Sequence, residues 1–167
     1  GYMQITPSSG AGQLFAEVVN DGVTPTLQNP AITGPGLAAG QDFYVAFVLD
    51  PANDVARLYR NGELVGIQAV SDEQDFSAIE DFNVWLGRSN FSADPGFNGT
   101  FTDFRIWEGA LQEADIALHA ACGPDALDCD PPTPFEMVAG STTEVTEPTA
   151  VNFGNLGGDA TYVFHFN

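Results

Sequence analysis

Oxygen-bearing side chains in two turn-rich stretches are the residues of this sequence that suit a metal ion. Both stretches combine Asp and Asn with Pro within a few positions. Carboxylate and amide oxygens on loops suit Ca²⁺, and the same residue types also stabilise a turn by bonding to their own backbone. Calcium binding and simple turn formation are therefore both open. The candidate ligands are Asn90, Asp94 and Asn98 in one stretch and Asp50, Asn53 and Asp54 in the other.

Residues that could catalyse hydrolysis do not form a recognisable set. Cleavage of a glycosidic bond needs two carboxylates held at a fixed separation. The nearest group is Glu73, Asp75 and Glu80, whose spacing does not place them on one face of a strand. The sequence has neither a G-x-S-x-G nor an H-E-x-x-H motif, and His119 and His165 have no companions for a catalytic triad. We therefore predict that the protein is not an enzyme.

Aromatic side chains are the residues that could bind a glycan, because a sugar ring stacks on an exposed aromatic ring beside polar groups. Trp85 and Trp107 lie among apolar strand residues, which favours core packing for both. Alternation along the strand puts Phe101 on the same face as Trp107. Phe91 and Phe97 lie in a loop, and they are the better candidates for exposed contacts.

The charge balance excludes some partners. Four Arg and no Lys face 23 Asp and Glu, which gives a net charge of −19. Such a surface repels phosphate backbones and anionic membranes, so we expect neither nucleic acid nor a membrane surface as a partner. No apolar run approaches the roughly 20 residues of a membrane-spanning helix. The acidic excess is consistent with solubility in salty water and with calcium-linked function.

The two cysteines, Cys122 and Cys129, lie in the turn-rich stretch "ACGPDALDCD". Two cysteines cannot form a structural zinc site alone, so we favour a local disulfide, which implies an oxidising compartment. The alternative is a pair of free thiols in a cytosolic protein. The chain begins at Gly1 without a Met, and we expect it to be a processed or excised piece of something longer. The expected location is extracellular or at the cell surface.

Short alternating segments separated by turn residues predict an all-β protein. The 13 Phe, 18 Gly and 11 Pro favour strands joined by tight turns over long helices. Asn61-Gly62 is the strongest hairpin signal. We expect a short edge strand at residues 23–29 and a loop at residues 30–40. The predicted strands cover residues 2–6, 12–20, 42–50, 55–60, 63–70, 82–89, 100–109, 150–156 and 160–167.

One segment, residues 110–122, favours a short helix, which Gly123-Pro124 would end. We expect this helix to lie on the edge of the β-structure. Its predicted apolar stripe consists of Leu111, Ala114, Leu118 and Ala121.

The order of these elements resembles that of laminin-G-like domains of the concanavalin A-like lectin/glucanase class. The resemblance rests on "FYVAFVLDPANDVARLYRNGELVG", then "VWLGRS", then "FNGTFTDFRIWEGALQEADIALHA", which together cover about residues 37–121. It implies a two-sheet antiparallel jelly-roll sandwich with one short helix. Members that bind calcium often carry an acidic residue before the "FYVAF" strand, where this chain has Ala39.

The C-terminal strand is expected to complete a sheet. Residues 149–167 resemble the opening strands of such a domain, placed at the end of the chain. Three aromatic residues left in water would forfeit roughly 1.5–3 kcal/mol each, so this segment must pair. It could close its own sheet as in a circular permutation, pair with residues 2–7, or complete a neighbouring copy in trans. The predicted strand-exchange interface consists of Tyr162, Val163, Phe164, His165 and Phe166.

These inferences divide the chain into a laminin-G-like jelly roll at residues 1–130, a Pro/Thr-rich spacer or extended wrap at 131–148, and terminal strands at 149–167. The leading hypothesis is a non-catalytic extracellular structural or adhesive module, one repeat or subunit of a surface array or filament joined by strand exchange. Its partners would be copies of itself or other surface proteins. The alternative is a calcium-assisted carbohydrate-binding module, and a glucanase is the third hypothesis.

Overall fold

A computed structural model describes most of the chain. It covers residues 2–19, 31–70, 85–89, 91–124, 136–139, 143–145, 149–150 and 160–166, the last four ranges as backbone. The strands are β1 Tyr2–Thr6, β2 Gln13–Val19, β3 Ala31–Pro35, β4 Phe43–Asp50, β5 Val55–Arg60, β6 Glu63–Ala69, β7 Trp85–Leu86, β8 Gly99–Glu108, β9 Glu136–Ala139, β10 Thr143–Val145, β11 Thr149–Ala150 and β12 Ala160–Phe166. A short 3₁₀ turn covers Pro51–Asn53, and the helix α1 covers Glu113–Cys122.

The described strands form two main antiparallel sheets. A small sheet has the order β1-β2-β3, and a large sheet runs β6-β5-β4-β12-β8. The strands β9 and β10 each pair with β8, one after the other along the edge that faces away from β12. The strand β7 pairs with β11, apart from both sheets. The predicted all-β, two-sheet fold with a short helix is confirmed.

The core lies between the two sheets, as in other sandwiches. The small sheet contributes Leu14, Ala16, Val18 and Ile32 from alternate strand positions. The large sheet contributes Val45, Phe47, Leu49, Ala56, Leu58, Phe101, Phe104 and Ile106.

The large sheet is also covered on its outer face, by α1. A second cluster there contains Tyr59, Trp107 and Ile116, each at most 1% exposed. The strand β4 therefore has apolar neighbours on both faces, and this explains its unbroken apolar sequence. Gly62 allows the close approach of the helix, because a Cβ there would lie 3.2 Å from the Cα of Ala117.

The helix departs from the prediction in position and in orientation. It packs on the outer face of the large sheet, not on the sandwich edge, and it buries Ile116 and His119. Leu118, from the predicted stripe, is 47% exposed. Alanines on both sides of this helix make its apolar periodicity ambiguous, because a methyl group contributes little to burial. Of the predicted stripe, Ala114, Leu118 and Ala121 are exposed, and Leu111 is buried just before the helix.

Two strand predictions are corrected by the structure. Residues 30–40 were expected to form a loop, but Ala31–Pro35 forms β3, which pairs with β2 and buries Ile32. Phe101 lies in the core between the sheets and not on the face of Trp107. The cause is a one-residue register shift in β8, where Thr102 has no counterpart on β12.

The turn predicted at Asn61-Gly62 joins β5 to β6 with positive φ at both residues, 53° and 82°. This is the combination that a type I′ hairpin requires. The edge strand expected at residues 23–29 and the acidic group Glu73, Asp75 and Glu80 lie outside the described residues.

Candidate interface at the terminal strand

The terminal strand β12 lies in the centre of the large sheet. It pairs antiparallel with β4 from Ala160 opposite Leu49 to Phe166 opposite Phe43. On its other side it pairs antiparallel with β8 from Ala160 opposite Glu108. β1 pairs with β2 in the small sheet instead, so the alternative partner at residues 2–7 is wrong.

Three alternate positions of β12 lie directly opposite residues on the core face of the sheet. Directly opposite residues of an antiparallel pair belong to the same face. Tyr162, Phe164 and Phe166 are each paired on both sides with residues that line or pack against the core. These partners are Phe47 and Ile106 for Tyr162, Val45 and Phe104 for Phe164, and Phe43 and Phe101 for Phe166.

The opposite face of this groove carries a buried ion pair. Arg105 Nε lies 2.7 Å from Asp103 Oδ2 on β8, and the two residues are 3% and 6% exposed. Asp103 is opposite His165 of β12, and Arg105 is opposite Val163. The sequence prediction missed this pair as a functional feature. The signal was present as two charges, two residues apart, within the otherwise apolar strand "TFTDFRIW".

The strand β8 depends on the C-terminal part of the chain. Among the described strands, its partners are β12 on one edge and β9 and β10 on the other. All three lie beyond residue 135. Within the segment 131–148, the described residues 136–139 and 143–145 form β9 and β10, which pair with β8.

The Asp50 turn uses its candidate calcium ligands for internal bonds. The Asn53 amide nitrogen donates to both carboxylate oxygens of Asp50, at 2.9 and 3.0 Å. Arg57 Nη1 lies 3.3 Å from Asp50 Oδ2 and donates to it. Asp54 has φ 55°, and its backbone N–H donates to the carbonyl of Pro51. The side chains of Asp50 and Asn53 thus bond to each other within the turn, and Asp50 would have to give up two donors to bind a cation.

The loop after Arg88 leaves its candidate ligands in solvent. Asp94 and Asn98 are exposed, and the Asp94 N–H donates to the carbonyl of Phe91 at 3.1 Å. Asn90 lies outside the described residues. Within the described ranges, no three or more His, Cys, Asp or Glu residues are grouped for a metal ion.

The two candidate sugar-contacting rings differ in exposure. Phe91 is 47% exposed and meets Tyr2 edge-to-face, with ring centroids 5.5 Å apart. Phe97 is half-buried and packs on Phe101 at 4.9 Å. Only Phe91 therefore keeps the exposed surface that a sugar ring would need.

The two tryptophans also differ. Trp107 is fully buried, so its predicted core role is confirmed, and His119 packs edge-to-face on it. Trp85 is half-buried, and the guanidinium of Arg88 lies 4.5 Å from its ring centroid.

Cys122 ends α1 and is disulfide-bonded. Cys129 lies outside the described residues, so the pairing of Cys122 with Cys129 stays a prediction.

Comparison with known proteins gives one match. A family model described as the concanavalin A-like lectin/glucanases superfamily, Laminin_G_3, matches residues 2–117. No curated protein and no solved structure matches the chain. Among the described residues, no helix is long and apolar enough to cross a membrane. The matched range includes β8 but ends before the strands that pair with it.

Proposed function

This chain belongs to the laminin-G-like family of the concanavalin A-like lectin/glucanase superfamily, and we propose that it is a non-catalytic extracellular structural or adhesive module whose copies join through their C-terminal strands. Domains of this family are generally non-enzymatic, although the superfamily includes glucanases. One observation carries the proposal. The strand β12 is both the last described strand of the chain and the centre of the large sheet.

A terminal strand in a central position can be exchanged between copies without losing its contacts. The backbone ladder of β12 with β4 and β8 is the same whether the strand comes from its own chain or from a neighbour. The nine residues 151–159 precede β12. Fully extended, such a segment spans at most about 30 Å, which limits how far from its own chain a donated strand could lie.

Exchange from one copy to the next is a heterologous contact. Each copy then donates its strand to one neighbour and accepts a strand from the other. Only the copies at the two ends keep an empty groove or an undonated strand, so the assembly need not close and can grow as a filament. The dependence of β8 on residues beyond 135 supports this proposal, because the sandwich needs those strands from one copy or another.

The proposal places the protein outside the cell or at its surface. A disulfide between Cys122 and Cys129 would belong to that oxidising environment. The partners are copies of this chain or other surface proteins that offer the same groove or strand.

The test uses two variants of the full chain, each with one new cysteine added to Cys122 and Cys129. Ala46 on β4 is directly opposite Val163 on β12. An Ala46→Cys chain and a Val163→Cys chain are mixed, unfolded, refolded together and oxidised. A disulfide between the two new cysteines can form only if β12 of one copy occupies the groove of the other, and peptide mass spectrometry identifies it.

The matched control mixes Val163→Cys with Val48→Cys, since Val48 is opposite Thr161 and is therefore two residues out of register. We expect the in-register mixture to cross-link and the control to give at most a tenth of that yield. Equal yields in the two mixtures, or a chain that stays monomeric at high concentration without any cross-link, would overturn the proposal.

The second candidate function is calcium-assisted carbohydrate binding, and it is favoured by the exposed ring of Phe91. The neighbouring Tyr2 hydroxyl donates to Glu17 Oε1 at 2.8 Å, so an aromatic surface adjoins a polar group. Calcium would be held by Asn90, Asp94 and Asn98. A glycan array run with and without calcium, on the native chain and on Phe91→Ala, tests this function. Glycan binding that survives Phe91→Ala counts against this site.

A further inference from the structure

We infer that the buried Asp103–Arg105 ion pair selects the strand that the groove between β4 and β8 accepts, by requiring a polar residue at position 165. This inference rests on the proposed strand exchange and names what determines the specificity of the groove. The partner is a second copy of this chain, whose β12 has the alternation that the groove accepts.

The groove is the space between β4 and β8 that β12 fills, and its two faces, called walls below, differ in polarity. On the core side, β4 and β8 present apolar residues such as Val45 and Phe104. On the outer side, β8 presents the charges of Asp103 and Arg105. A strand with apolar residues at alternate positions and a polar residue at 165 satisfies both walls.

A slip of one residue would reverse this match. Because side chains alternate between faces, the slip would move the aromatic positions of β12 to the outer wall and its polar position to the core. The aromatic row of β12 would then lie against the ion pair. The buried charges add to the penalty of such a slip, since an apolar outer wall would accept the aromatic row of β12.

The ion pair is difficult to explain by stability alone. Removing two charges from water costs several kcal/mol, and apolar residues of similar size in place of a buried ion pair are often neutral or stabilising. Trp107, on the same face of β8, is fully buried, so the outer wall is otherwise suited to apolar side chains. Buried polar groups whose role is to fix register are the best-attested reason to keep such a pair.

Polar residues continue across three strands at this level. His165 is opposite Tyr44 on β4 and opposite Asp103 on β8, and these two partners are 4% and 6% exposed. The next pairing along β8 shifts by one residue at Thr102. The polar row therefore lies next to the position where the register between β12 and β8 shifts.

The test is a double-mutant cycle in the full chain. His165→Phe is introduced into the native chain and into an Asp103→Leu, Arg105→Met variant, in which no single charge is left buried. We expect His165→Phe to lower the folding equilibrium constant at least tenfold in the native chain and less than twofold in the variant. Thr161→Val is the matched control, since position 161 lies opposite Val48 and Trp107, and it should have the same effect in both backgrounds.

Equal effects of His165→Phe in the two backgrounds would overturn the inference. If the Leu/Met variant does not fold, Asp103→Asn with Arg105→Gln replaces it, and the same comparison decides. Selection between donated strands is measured as the cross-link yield in the same mixing experiment, with a donor that carries both Val163→Cys and His165→Phe. With an acceptor that has the native ion pair, the cross-link yield of this donor should be at least tenfold lower than that of the Val163→Cys donor. With an acceptor that carries Asp103→Leu and Arg105→Met, the two yields should be about equal.

The two proposals fail separately. If no mixture cross-links, strand exchange is wrong. The double-mutant cycle within one chain then still decides whether the ion pair discriminates between a polar and an apolar residue at position 165. If every groove accepts both donors equally, strand exchange stands and the selective role of the ion pair is wrong.

Discussion

The two sheets of the sandwich are assembled from the chain in different ways. The small sheet is built from β1, β2 and β3, which follow one another along the sequence. The centre of the large sheet is built from β4, β8 and β12, and β12 comes from the far end of the chain. Local strand pairs form quickly, whereas distant pairs wait on loop closure. The large sheet is therefore the part of the molecule that depends on a distant segment of the chain, and the proposed strand exchange would act there.

The largest expected effect is a charge placed in the centre of the large sheet. Phe164 is opposite Val45 and Phe104, which are 0% and 5% exposed. Phe164→Asp should cost roughly 4–5 kcal/mol or more, because it brings an unpaired carboxylate to a core position. Urea unfolding followed by circular dichroism measures the change.

The matched control places the same carboxylate on the small sheet. Gln13 is exposed on β2, so Gln13→Asp should change the free energy of unfolding by no more than about 0.5 kcal/mol. Similar costs for the two substitutions would mean that β12 is not the centre of the structure in solution.

The next effect compares the two halves of the core. Phe47 on β4 and Val18 on β2 are both fully buried. Phe47→Ala should cost about 3–5 kcal/mol, because it leaves a ring-sized cavity between the two sheets. Val18→Ala removes less volume and should cost about 2 kcal/mol. Chemical denaturation of both variants checks the order, and a larger cost for Val18→Ala would contradict this prediction.

A smaller effect is expected where the two sheets meet at their edges. A Cβ at Gly66 of β6 would meet the Cγ2 of Ile32 on β3 and lie 3.1 Å from the carbonyl oxygen of Thr33. Gly66→Ala should therefore cost about 1–3 kcal/mol as the sheets move apart. Gly10→Ala is the control, because a Cβ there meets nothing within 4 Å. If thermal unfolding shows equal shifts for the two variants, this edge contact is not tight.

Local signals in the sequence were sufficient for much of the fold. The Asn61-Gly62 turn and the apolar run of β4 follow from rules that act within a few residues. The strand β3 was missed because its Gly and Pro indicate a loop. Gly34 in fact serves a close approach, since a Cβ there would lie 2.8 Å from Val65 Cγ2.

The candidate interface was predictable only in part. Alternation in "ATYVFHF" showed that residues 160–166 must pair, but many apolar strands offer a partner of equal quality. Nothing local selects β4 and β8 over the rest, so the central position of β12 had to come from the structure. The Asp103–Arg105 pair was likewise hidden, because salt bridges within one strand read as ordinary surface charges.

The smallest expected effect is a loss of stability in alkali that belongs to the helix-covered face of the large sheet. Burial raises the pKa of Tyr59 above its ordinary value of 10.0, Arg57 lowers it and Glu113 raises it further. A raised pKa means that the folded state holds the phenolic proton after the unfolded state has lost it. The stability from this group is thus fully present below pH 10 and is lost as the pH rises through the folded value. Tyr59→Phe should remove this part of the alkaline decline, so the difference between the free energies of unfolding of the two proteins should be constant below pH 10 and should change as the pH rises above 10. A difference that stays constant over this range would show that Tyr59 titrates alike in the folded and unfolded states, and that the helix does not exclude water from this face.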